Sequence, residues 1–110
     1  DHFVPWARHP NDGLDNLVVA HASCNTAKSD FLASAAHVEH WSRRLVSSAS
    51  DLEELAVRLE TSFEPARATG VALALYGRLP DESLLWSGGE AFEAIGEVRG
   101  RVLEALERAA

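Results

Sequence analysis

The sequence predicts an α+β chain, an N-terminal hairpin-and-helix unit continued into a helical bundle of about four helices. Three observations predict it. Two short apolar runs, at residues 1–6 and 16–20, flank a loop dense in turn formers, Pro10, Asn11, Asp12 and Gly13. Beyond residue 30, apolar residues recur at helical spacing. Breakers then divide that stretch: a serine run at 47–50, Pro65, Pro80 and the pair Gly88-Gly89.

In order, Asp1 to Trp6 reads as a short strand, with Pro5 suited to an edge or an end because it cannot donate to a ladder. Asn16 to Ala20 is β-branched and reads as the second strand. Two strands alone are marginal in water, so the segment around Ala22 to Lys28 is expected to form a helix against them. A further helix is predicted from about Asp30 to Ser47, with Phe31, Ala35, Val38, Trp41 and Leu45 on its apolar face. Ser50-Asp51-Leu52-Glu53 has the form of a capping box, and Leu52, Leu55, Ala56, Leu59 and Phe63 make the next stripe. Pro65 suits the first turn of a helix running to about Leu79, whose middle, Val71 to Tyr76, is apolar enough to predict central burial. Leu84, Leu85 and Trp86 are expected in a short turn. A last helix is predicted from about Glu90, with Phe92, Ile95, Val102 and Leu106 inward.

The chain has 110 residues, enough for one domain with a modest core. We divide it into residues 1–30 and a helical extension, 31–110, packed on them as one domain. A single cysteine excludes an internal disulfide and fits a reducing, cytoplasmic setting. No apolar run approaches the length of a membrane span. The net charge of −7 argues against a whole-surface grip on a polyanion. Most of that charge sits in residues 49–110, whereas residues 1–48 are close to neutral and hold all five histidines. The acidic stretches 51–64 and 90–108 read as solvated outer faces or as a docking surface for a protein partner.

Asp1-His2-x-x-Pro5, then Asn16-Leu17-Val18, then Cys24-Asn25-x-x-Lys28-Ser29-Asp30 follow one another with fourteen residues from His2 to Asn16 and nine from Asn16 to Asn25. This order resembles the HNH endonuclease signature of the ββα-metal superfamily, and its wording is similar to small stand-alone bacterial HNH proteins. The resemblance covers the first 30 to 45 residues. It implies a metal-dependent DNA endonuclease with His2 as general base, acting with one Mg²⁺ or Mn²⁺ ion held by Asp1 and Asn25. A histidine, with a free pKa of ~6.5, can accept a water proton at neutral pH, and oxygen donors suit Mg²⁺ or Mn²⁺. Asn16 is implied to tie the loop between the strands and so to aim the histidine. Arg8 and Lys28 are candidates for phosphate contacts, with DNA the implied partner and RNA left open.

Each residue also has a plainer reading. Asp1 reads alternatively as a solvated acid, His2 as a surface histidine, Asn25 as a helix N-cap, and Arg8 and Lys28 as surface charges. His21-x-x-Cys24 supplies only half of a zinc knuckle, so structural zinc is not expected. Trp41-Ser42-Arg43-Arg44 reads as a nucleic-acid contact or, more simply, as a buried indole beside snorkelling arginines. The absence of methionine and a start inside the motif point to upstream sequence, with part of the first strand, a zinc knuckle or DNA contacts as its candidate contributions. The competing function is a non-catalytic nucleic-acid-binding or protein-docking module that keeps an HNH scaffold.

Overall fold

The computed structural model describes residues 2–5, 8–9, 11–16 and 28–110. Among them are a 3₁₀ turn at Leu14–Asn16, four helices and one hairpin. The helices are α1 (Ala35–Ser47), α2 (Ala49–Arg58), α3 (Pro65–Arg78) and α4 (Ile95–Ala109), and the hairpin pairs β1 (Leu84–Gly88) with β2 (Ala91–Ala94). The chain is thus α+β. The first strand, expected at residues 1–6, is not seen at residues 2–5, which run as bend and loop from a single bridge at His2. The second strand and the first helix, expected over residues 16–28, fall largely outside the described residues.

The core forms where α4 packs against both α1 and α3. Ala35, Val38, Ala72, Tyr76, Ile95, Val102 and Leu106 are fully buried there, and Phe3, Val4 and Leu32 join the same cluster. Pro65 occupies the first turn of α3 as its missing N–H predicts. That helix is buried on one side only. Ala72 and Tyr76 are enclosed while Ala74 is exposed, so the expected central burial of residues 71–76 is corrected to a single face.

Helix α2 begins at Ala49, without a side-chain cap bond, rather than at the expected capping box. It stops at Arg58. Glu60 takes φ 52°, the Glu60 N–H bonds Val57 O and the Thr61 N–H bonds Ala56 O, a left-handed stop that satisfies two end carbonyls. Leu59 therefore leaves the predicted stripe and is exposed, while Leu52 and Ala56 cover Leu14 with help from Phe63.

Two further corrections share one cause. Helix α1 begins five residues later than expected, and Leu84 to Ala94 form strands where a turn and a helix start were predicted. The Trp86 N–H bonds Leu32 O, and the Ser34 N–H bonds Trp86 O. Residues 32–34 are thus extended alongside β1, with Ala33 and Trp86 as parallel partners. These backbone groups would otherwise compete for helix bonds. Gly88 (φ 144°) and Gly89 (φ 52°) take the left-handed backbone that turns β1 into β2, where a side chain would be strained. Phe92, expected on the inner side of the last helix, lies in β2 against Phe31, with ring centroids 4.8 Å apart.

Among the described residues, no helix is long and apolar enough to cross a membrane.

Candidate active site

Asn16 organises the described part of the N-terminal segment. It is 1% exposed, and every polar atom of its side chain is used. Its Oδ1 accepts the Val4 N–H at 2.8 Å, and its Nδ2 donates to Val4 O and to Asn11 O, each at 3.0 Å. Its own backbone carbonyl accepts the Phe3 N–H at 2.7 Å. An amide suits this position because it offers an acceptor and two donors without a charge. Asn16, expected to open a strand, instead ends the 3₁₀ turn, with its N–H bonded to Gly13 O. Residues 17–20 lie outside the described set.

Phe3 and Val4, pinned in this way, are clamped from the other side by α1. The Phe3 ring stacks on Trp41 with centroids 4.2 Å apart and planes 5° from parallel. The Trp41 Nε1–H donates to Asp15 O at 2.8 Å. Trp41 is therefore a buried wall of this site, which favours the simpler of its two sequence readings, and Arg44 reaches back to Leu14 O. Asp15 is buried too, its carboxylate accepting from Asn11 Nδ2 and from the Glu64 N–H.

His2 precedes this anchored pair and remains partly exposed. Its Nε2 lies 2.6 Å from Asp12 Oδ1. Asp12 carries no distinguishing signal in the sequence beyond its place in a turn. Ten residues separate the two, and only the closure of the loop brings them together. Arg8 is exposed, with its Nε donating to Asp30 O at 2.6 Å, which leaves the rest of the guanidinium at the surface.

Lys28 sits differently from the phosphate contact expected of it. It is 6% exposed, and its Nζ donates to His2 O at 3.1 Å and Phe3 O at 2.8 Å. The ammonium is spent on the backbone beside His2, which favours a tether over a phosphate contact. Burial, reinforced by the nearby Arg8 charge, lowers its pKa from the ordinary lysine value to about 8. Lys28 is the only lysine in the chain, so this has a measurable consequence. Below pH 8 both folded and unfolded chains hold the proton. Between about pH 8 and 10 the unfolded chain keeps it while the folded chain releases it, so stability rises with pH there. The full effect is on the order of 3 kcal/mol. Above pH ~10 Tyr76 opposes it, because burial raises the folded phenol while an unfolded tyrosine ionises. Urea titrations at pH 7.5 and 9.5 are expected to show a rise in wild type that Lys28→Gln lacks.

Asp1 and Asn25, the expected metal ligands, lie outside the described residues. Among the described residues, no group of three or more His, Cys, Asp or Glu is placed to hold a metal ion. A polar cleft of about 280 Å³ lies behind the loop, lined by His9, Asn11, Asp15, Ser62, Glu64 and Arg67. His2 does not line it, and two of its lining residues, Arg67 and Glu64, pair with each other at 3.3 Å.

Residues 1–34 match the model of the HNH endonuclease family. The likeness read from Asp1-His2, Asn16 and Asn25 is borne out over that segment, and it supports a nuclease-type function. No curated protein and no solved structure matches the chain.

Proposed function

We propose that the chain is a metal-dependent endonuclease that hydrolyses DNA phosphodiester bonds, with His2 as general base. The observation that carries this reading is a histidine held partly exposed on a segment pinned by Asn16, within the residues matched to HNH endonucleases. A general base must reach solvent and keep its aim, and this arrangement supports both requirements.

In the proposed step, His2 takes a proton from water and the resulting hydroxide attacks phosphorus. The bond from phosphorus to the 3′-oxygen breaks, the departing oxygen takes a proton from solvent, and the products are a 5′-phosphate and a 3′-hydroxyl. A divalent ion, Mg²⁺ or Mn²⁺, supplies a Lewis acid at the phosphate and offsets charge on the departing oxygen when bound. Asp1 and Asn25 are its proposed ligands, by position in the family pattern. Asn16 holds the backbone two residues beyond His2, and Lys28 holds the carbonyls of His2 and Phe3 from beneath. Arg8 is the remaining candidate for a phosphate contact.

The test is nicking of supercoiled plasmid, with a single-stranded RNA in parallel. Nicked circles bearing 5′-phosphates in Mg²⁺ or Mn²⁺, absent with chelator, are expected. DNA binding that is indifferent to chelator and yields no nicks would establish the non-catalytic module instead.

A further inference from the structure

We infer that Asp12 is a positioning residue that fixes His2 as its Nε2–H tautomer and holds the ring in place. Its consequence for turnover rests on the nuclease reading above.

The contact is short, 2.6 Å from His2 Nε2 to Asp12 Oδ1. An ionised carboxylate only accepts hydrogen bonds, so in the neutral imidazole the proton lies on Nε2 and the lone pair on Nδ1. The basic nitrogen is thereby set by Asp12. When Nδ1 gains a proton, the same carboxylate faces an imidazolium. Asp12 is itself well exposed, with 76% of its side chain open to solvent, so screening weakens this charge effect and orientation is the larger part.

The loop that presents Asp12 is built to hold it. On one side, Asn11 accepts the Gly13 N–H through Oδ1 at 2.8 Å, donates to Asp15 Oδ2 at 2.9 Å, and gives its carbonyl to Asn16. On the other, the Leu14 N–H bonds Ser62 O at 2.8 Å. Gly13 is packed so closely that a Cβ there would lie 2.5 Å from Ser62 Oγ and 2.7 Å from Asp15 Oδ1. Asp12 thus lies between two fixed neighbours, and its backbone has little freedom to carry the carboxylate away. Carboxylates that bond the second nitrogen of a working histidine set its tautomer and aim in the same way elsewhere.

Two measurements on the intact chain test this. At pH 8, long-range ¹H–¹⁵N correlation of the His2 ring is expected to show Nε2 protonated in wild type and a tautomer mixture in Asp12→Ala. In plasmid nicking, Asp12→Ala is expected to lower kcat on the order of 10-fold or more, with KM and melting temperature unchanged. Asp12→Asn, which keeps an acceptor oxygen, is expected to recover part of the loss. In a His2→Ala background, replacing Asp12 is expected to change nothing further. An unchanged His2 spectrum in Asp12→Ala overturns the inference, as does a kcat within twofold of a wild type that nicks. If wild type cleaves no nucleic acid, the nuclease reading falls and the ring spectrum alone decides what Asp12 does.

Discussion

Replacing His2 with alanine is expected to slow plasmid nicking on the order of 10²- to 10⁴-fold, the usual contribution of a positioned general base. The loss should appear in kcat, because removing the base raises the barrier to proton transfer without touching the backbone that DNA would contact. Folding should change little. The side chain is 29% exposed, and its pairing with a more exposed Asp12 is of the surface kind that contributes about 1 kcal/mol or less. Circular dichroism and a melting temperature near that of wild type would separate lost chemistry from lost structure. A folded variant that nicks at the wild-type rate would remove His2 from the mechanism.

Asn16→Ala is expected to act in the opposite register, as a folding defect that reaches the site. Truncation leaves the Val4 N–H, Val4 O and Asn11 O without their partner in a buried setting. Each unsatisfied buried group costs about 1–3 kcal/mol, so a total on the order of 3 kcal/mol is expected after some water entry. For a domain of this size that lowers the melting temperature by about 10–20 °C. Asn16→Asp should be no milder, since it loses the donor and sets a negative charge against Val4 O. Urea unfolding with a lower midpoint and an unchanged slope would mark a stability effect alone. A shift of under about 2 °C would mean that Val4 does not depend on this side chain.

The sequence made some of this architecture legible and hid the rest for physical reasons. Pro65 and the spacing of Val38, Trp41 and Leu45 read correctly because both signals are local: a missing N–H and a 3.6-residue period. The hairpin did not read. Leu84-Leu85-Trp86 is too short to show a period, and it becomes a strand by pairing with β2, with Trp86 also bonded to Leu32 and Ser34 some fifty residues away. The same bonds delay the start of α1. In the site, His2 and Asn16 stood out by their separation along the chain. Asp12 did not, because it looked like one more turn residue until the loop closed. Lys28 carried the signal of a surface cation, and only the folded chain reveals that the ammonium is enclosed and bonded to the carbonyls of His2 and Phe3.

The extended stretch at 32–34 bears on any attempt to move the motif to another protein. Phe3, Val4 and Leu32 are seated among side chains contributed from Val38 through Leu106, so an excised segment ending at residue 34 would carry its greasy underside into water. A chimera that borrows only the matched portion is expected to be insoluble or shapeless, and the acidic helices must travel with it as its other half.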